Sequence, residues 1–166
     1  MPRSTTATRA SKRRPDQPEQ KAYLNLLQTM NILVLQTERL LKQQGLSEST
    51  HNVLDIVRRG EQAARQAGQR FPGLPCSLIA GQMVAEVPDL TRLLDRLSRD
   101  GLVQRRHSQE DRRVVHVRLT AKGRRVMTLL DRPLAKLRGE QLGHLTRKDL
   151  ADLTRLLAKA RAPHEE

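Results

Sequence analysis

Aromatic side chains are nearly missing from this chain: of 166 residues one is tyrosine (Tyr23), one is phenylalanine (Phe71) and none is tryptophan. Stacking surfaces able to clasp a flat aromatic ligand are therefore scarce. Cysteine occurs once, at Cys76, which excludes an intrachain disulfide framework and makes the cytoplasm the expected compartment. No apolar run approaches the roughly 18 residues that a membrane-spanning helix needs, so no membrane partner is expected. The first residues carry no apolar signal-peptide core. Also missing are a glycine-rich phosphate loop, paired zinc-ligand cysteines and a nucleophile with histidine and acid partners. The five histidines, His51, His107, His116, His144 and His164, are scattered. No metal site, cofactor or enzymatic activity is expected from such a sequence.

What is abundant is positive charge. Lys and Arg number 31 against 18 Asp and Glu, a formal net charge of +13. A chain so charged attracts polyanions, double-stranded DNA among them. Eleven of the basic residues fall between Pro88 and Arg125, against five acidic ones. Taken singly, each of these arginines could equally serve a solvated helix face or a solubilising hairpin.

Their setting is more specific. Leu90, Leu93, Leu94 and Leu97 recur at helical spacing and define a buried stripe, while Arg92, Arg96 and Arg99 share the opposite side. Gly101 is placed to end that helix. Leu102 and Val103 lead into a polar run from Arg105 to Arg113, which reads as a hairpin tip, and Val115, Val117 and Leu119 alternate as the returning strand. Thr120 then offers an N-cap hydroxyl to a following helix. A helix followed by a wing is the order described. Upstream, Ser77 to Val84 reads as a short helix with Leu78, Ile79 and Met83 available for packing, and Ala85-Glu86-Val87 as a turn. The two helices make a helix-turn-helix, in which the second lies in the major groove. Pro88 is tolerated near the start of that second helix, where the first amides lack intrahelical partners.

Thr91-Arg92-Leu93-Leu94-Asp95-Arg96-Leu97, Gly101-Leu102-Val103, Asp111-Arg112-Arg113 and Leu119-Thr120-Ala121-Lys122-Gly123 stand in one order. In them the chain resembles the MarR family of bacterial winged-helix transcription regulators. Weaker resemblance runs from about Tyr23 to Arg161. It implies a mainly α fold with a small β-hairpin wing, a winged helix-turn-helix flanked by N- and C-terminal dimerisation helices. It also implies a homodimer that regulates transcription, as a repressor in the expected case, from pseudo-palindromic operators. A small-molecule effector belongs to the family pattern, but no residue here is assigned to one.

The remaining segments fit that plan. Residues 1–18, rich in Arg, Lys, Ser, Thr and Pro, read as a disordered basic arm. Residues 19–45 read as an N-terminal dimerisation helix, with Leu24, Leu27, Met30, Val34 and Leu41 on its main apolar side. Leu26, Leu33, Leu35 and Leu40 add apolar surface on a second side, which calls for a second packing partner. The winged region covers 46–119. It begins with a scaffold helix capped by Ser47, carried to about Arg59 by Val53, Leu54, Ile56 and Val57, and followed by a long connector at about 60–75. Residues 120–162 read as C-terminal dimerisation helices. Val126, Leu129 and Leu130 lead, Pro133 interrupts the pattern, Leu134, Leu137 and Leu142 resume it, and Thr146 with Asp149 caps a last helix bearing Leu150, Leu153, Leu156 and Leu157.

Thr91, Arg92, Arg96, Arg99, Arg112 and Arg113 are the candidate DNA-binding residues. Arg92 and Arg96 lie one turn apart, and the planar fork of arginine matches the O6 and N7 acceptors of guanine, so these two are the expected base readers. Thr91 suits a phosphate or a thymine methyl, or local backbone bonding alone. Asp89 suits the helix dipole better than a cytosine amino group. The resemblance implies that Arg113 probes the minor groove and that Asp111 is its ion-pair brace. Cys76 reads as a packing or cap-position residue, since the family's redox sensors sit near the N-terminal helix. A winged-helix architectural DNA binder, or an RNA-associated one, using its charge without sequence preference is the alternative reading.

Overall fold

The fold follows from where the leucines find partners. In the computed structural model, which describes residues 17–84 and 87–164, six α-helices and a small antiparallel sheet form in the order α1 (Pro18–Lys42), α2 (Glu48–Gln66), β1 (Leu74–Pro75), α3 (Cys76–Gln82), α4 (Leu90–Arg99), β2 (Val103–His107), β3 (Val115–Leu119), α5 (Ala121–Leu142) and α6 (Arg147–Arg161). A short 3-10 turn, Ala162–His164, follows. Most of the expected basic arm, residues 1–16, lies outside the described residues, as do Ala85 and Glu86 of the expected turn.

The chain divides into two units at Val34 and Leu35. The described part of the first is the opening stretch of α1, on which Tyr23, Leu24, Leu26, Leu27, Met30 and Ile32 are all exposed. The second unit holds a continuous apolar core. Leu41, Val53, Leu54, Ile56, Val57, Ile79, Leu94, Leu97, Val117, Met127 and Leu130 are essentially sealed from solvent. Each is an apolar residue at helical or strand spacing, and all but Met127 stand in the stripes read from the sequence; in α5 Met127 takes the buried place expected of Leu129, which is 59% exposed. Among the described residues no helix is long and apolar enough to cross a membrane.

Caps and turns fix the ends of these elements. Ser47 accepts the Thr50 amide at 3.2 Å and starts α2. At the end of α4, Gly101 adopts φ +69, a left-handed conformation that glycine takes without a Cβ clash. Its amide reaches the Ser98 carbonyl and the Leu102 amide reaches Leu97, a paired closure that ends the helix and sends the chain into β2. Thr120 accepts the Gly123 amide at 3.0 Å and donates to the Gly101 carbonyl at 2.6 Å, so one side chain caps α5 and holds the foot of the wing to the end of α4. Gly123 lies so close to the Leu102 carbonyl that a Cβ would sit 2.1 Å from its oxygen. Thr146 and Asp149 form a reciprocal capping box on α6.

Four further features differ from the sequence expectation. The connector drawn at about 60–75 is shorter, because α2 continues to Gln66 and only the stretch from 67 to 73 is irregular. Glu61, Gln62, Ala63 and Ala64 are good helix formers, and Gly60 does not stop the helix because the Leu74 side chain fills the space its own would take. A two-residue strand, β1, joins the edge of the sheet, whose order is β1-β3-β2. Pro133 does not interrupt α5, which runs through it. Buried Leu130 and Leu134 clamp the helix on either side, and the Leu129 carbonyl that proline leaves without a donor belongs to an exposed residue. Finally, Arg105, Arg106 and His107 belong to β2, so the hairpin tip begins at Ser108.

Candidate nucleic-acid interface

The cationic side of α4 is built from its own periodicity. Leu93, Leu94 and Leu97 are buried, with Leu90 half-buried, which turns Arg92, Asp95 and Arg99 outward. Asp89 is the N-cap. Its carboxylate accepts the Arg92 amide at 2.9 Å and pairs with the Arg92 Nε at 2.9 Å. A capping carboxylate fits the positive end of the helix dipole, and here it also steers the guanidinium beside it. The Arg92 side chain is nonetheless 88% exposed. Thr91 is exposed, and its hydroxyl has no partner among the described residues.

The two expected base readers are held differently. Arg92 is paired with Asp89 on its own helix, whereas Arg96 Nη2 donates to Thr50 Oγ1 at 3.1 Å, across to the first turn of α2. Thr50 is 4% exposed and its hydroxyl also meets Ser47 Oγ at 2.9 Å. Arg96 is thus drawn toward the start of α2, while Arg99 is exposed with no ion-pair partner among the described residues.

Asp95 is paired with Arg105 of β2. This arginine, counted at the sequence level among the residues of a charged tip, is half-buried, and its Nε is sealed from solvent without a hydrogen-bond partner. It faces Cys76 at the first position of α3. Burial pushes the Cys76 thiol up, with Arg105 opposing. A thiol held in its neutral form is a poor nucleophile, which accords with a packing role. Strand alternation from buried Val103 is the signal that could have found Arg105, since it puts residue 105 on the inner face.

At the wing tip the backbone closes on itself. The Ser108 amide donates to the Val114 carbonyl at 2.8 Å, Val114 donates to Asp111 at 2.9 Å, and the Ser108 hydroxyl accepts the Glu110 amide at 3.2 Å. Asp111 accepts the Arg113 amide on Oδ1 at 2.9 Å. Among the described residues it makes no ion pair with the Arg113 guanidinium, so the expected ion-pair brace is corrected to a backbone brace: the carboxylate shapes the turn instead of holding the side chain. Arg112 and Arg113 are both exposed and unpaired among the described residues. Register pairs Arg106 with His116 and Gln104 with Arg118, which puts further cations on the outer face of the sheet.

Behind this surface α2 is tied to α5. Arg58 bridges Asp55 at 2.9 Å and Asp131 at 2.6 Å, and Arg124 reaches Glu61 at 3.1 Å. His51 lies in the same region with its Nε2 buried and unpartnered. Burial, followed by the opposing fields of Asp55 and Arg138, leaves its pKa below the ordinary histidine value. A separate cleft of about 630 Å³ is lined by Glu38, Lys42, Glu48, Arg96, Asp100 and Lys122 among others; its charges are mixed, and burial with Glu38 nearby raises Glu48. Among the described residues no three metal-ligating side chains converge.

Comparison with known proteins follows the same geometry. The family model described as MarR family matches residues 69–115, the span from the end of the connector through the wing tip. The HTH-type transcriptional regulator YfiV of Bacillus subtilis is 47% identical over 53 residues, 32% of this chain and 33% of that protein, so the match spans about a third of that relative's length. The crystal structure of a MarR transcription factor from Planctomyces limnophilus is 35% identical, with a TM-score of 0.61 over 87% of this chain and 98% of that one. Streptococcus pneumoniae FabT, solved in complex with DNA, shares the fold at 22% identity and a TM-score of 0.67, over 89% of this chain and 97% of that one.

Proposed function

We propose, since this chain belongs to the MarR family of winged-helix transcription regulators, that it is a homodimeric, sequence-specific regulator that represses from pseudo-palindromic operators. The observation that carries the reading is the pairing of a capped helix, leucine-buried on one side and arginine-bearing on the other, with a hairpin whose tip carries two free arginines. The helix enters the major groove, about 12 Å wide, and the tip reaches the flanking minor groove. Arg92, steered by Asp89, reads guanine; Thr91 lies beside it; Arg112 and Arg113 serve the wing. Arg96 and Arg99 complete the cationic surface of the helix. That FabT was crystallised with DNA supports duplex DNA as the partner here.

The dimer is supported by apolar surface that a lone chain leaves in water. Leu24, Leu27 and Met30 of α1, and Leu153 and Leu156 of α6, are exposed at helical spacing. We assign residues 19–45 and 120–162 to dimerisation and 46–119 to DNA reading, with the cytoplasm as the compartment. Twofold symmetry sets the two reading helices about one DNA turn apart, and repression follows from occupying an operator that the polymerase needs. An effector would act by changing that spacing.

The test is selection by the purified protein from a random duplex pool, followed by titration of the winning and a scrambled duplex at one near-physiological salt concentration. A pseudo-palindrome bound about 10³-fold or more tighter than the scramble is expected. Salt-sensitive binding without enrichment would replace this reading with a nonspecific architectural or RNA-associated binder, which the net charge of +13 also suits.

A further inference from the structure

Between the start of α2 and the reading helix lies an open cleft of about 410 Å³ lined by Ser47, Ser49, Arg92, Arg96 and Arg99, with Leu93 as apolar lining. Its charge is one-sided, because three guanidiniums and no carboxylate line it. Of the three, Arg92 is neutralised by Asp89, which leaves Arg96 and Arg99 without an anionic partner among the described residues. The buried Thr50 hydroxyl draws Arg96 to this side of α4. The half-buried Ser49 hydroxyl has no partner among the described residues. In the first turn of α2, a helix of 19 residues, Ser47 takes the Thr50 and His51 amides, and those of Glu48 and Ser49 have no acceptor among the described residues.

Two unneutralised guanidiniums, a free hydroxyl and free helix amides form a donor set without a matching acceptor. A tetrahedral oxyanion supplies several acceptors at once and takes arginine's fork in a bidentate contact. We infer that this cleft is a seat for a phosphate group, filled by a backbone phosphodiester of the duplex that α4 reads. The inference rests on the DNA-binding reading above and deepens it. It moves Arg96 from base reading to phosphate positioning and adds Ser49, which the sequence offered only as part of a helix start. Arg92 keeps the groove floor, while Arg96, Arg99 and Ser49 fix where along the backbone the helix lands. Contacts of this kind set register and orientation and carry no sequence information themselves.

The test titrates full-length protein against two duplexes of equal length, the winner of the random pool and a scramble of it, over a series of chloride concentrations. Wild type is compared with Arg96→Ala, Arg99→Ala and Ser49→Ala. Arg99 and Ser49 make no side-chain bond among the described residues, so two of the variants remove nothing the fold uses. Each arginine variant is expected to lose the same factor on both duplexes, with the slope of log K against log salt shallower by about two, one contact being lost from each subunit of the proposed dimer. Ser49→Ala should lose equally on both duplexes with the slope unchanged, because a neutral hydroxyl releases no counterion.

A second arm replaces chloride with inorganic phosphate at matched ionic strength. Phosphate that displaces DNA from wild type but not from Arg99→Ala would identify free phosphate as an occupant of the same seat, and equal displacement by the two salts leaves the seat to the duplex backbone. The inference is overturned if the arginine variants lower the ratio of selected to scrambled binding, or if they keep the wild-type slope. Should wild type itself bind both duplexes alike, the sequence-specific reading falls, while the slopes still decide whether the seat exists.

Discussion

Helices α4 and α1 carry leucine at the same kind of spacing, yet Leu94 and Leu97 of α4 are sealed while Leu24, Leu27 and Met30 of α1 lie open, Met30 at 54% exposure. Periodicity states that a face is apolar; it does not state whose apolar face will cover it. In α4 the cover is the chain's own core, and the opposite face is free to carry arginine. In the opening stretch of α1 the cover we propose is a second copy.

The sharpest way to break that comparison is a charge on the open face. Met30→Glu is expected to turn dimers into monomers by sedimentation and to abolish operator binding at protein concentrations where wild type saturates, with subunit stability changed by no more than about 0.5 kcal/mol. A monomer that still binds the full operator like wild type would end the dimer reading. The counterpart on the sealed face is Leu97→Ala, which should cost about 2–5 kcal/mol in urea unfolding because it empties a site with no solvent to fill it.

On the arginine side of α4, Arg92→Ala is expected to cost about 1–3 kcal/mol for each half-site of the selected duplex and far less on a scramble. Arg113→Ala should lose less, and should lose nothing further on a duplex shortened to remove the flanking minor grooves. The smallest effect concerns His51, a sealed polar group in an otherwise well-satisfied region. Its folded pKa is lowered, so the unfolded chain takes up a proton first as pH falls through the ordinary histidine value of about 6.5. Stability should therefore decline between pH 7.5 and 5.5, and His51→Gln should flatten the decline in urea midpoint. A steeper decline in the variant would show that His51 is not the group responsible.

How far the sequence reached can be judged from single residues. The stripe of α4, the Gly101 stop, the Thr120 cap and the Thr146–Asp149 box were legible because each depends on neighbours within four residues. Gly60 and Pro133 misled for the same reason. Both are local breakers, and distant packing overrode them, with Leu74 filling the space beside one and buried leucines flanking the other. The site shows the same boundary. That α4 carries a cationic face was readable, whereas the tie that draws Arg96 to α2 was not, because its partner is Thr50, 46 residues away. Arg105 is intermediate: its inward direction follows from strand alternation, but its partner Asp95 lies across the turn on α4.

The foot and the tip of the hairpin are held by different means. At the foot, Thr120 joins the end of α4 to the start of α5, and Gly123 leaves no room for a side chain against Leu102. At the tip, Ser108, Asp111 and Val114 bond, among the described residues, only with one another and their immediate neighbours. Among the described residues the one further hydrogen bond from this stretch joins the Arg112 carbonyl to the His107 ring at 2.8 Å, so residues inserted between 108 and 114 disturb little beyond the end of β2, and doubling such a loop costs only about 0.6 kcal/mol of closure entropy. On the proposed reading, adding or deleting residues at this one place would retune how far the protein stretches along DNA and leave the contacts of α4 untouched.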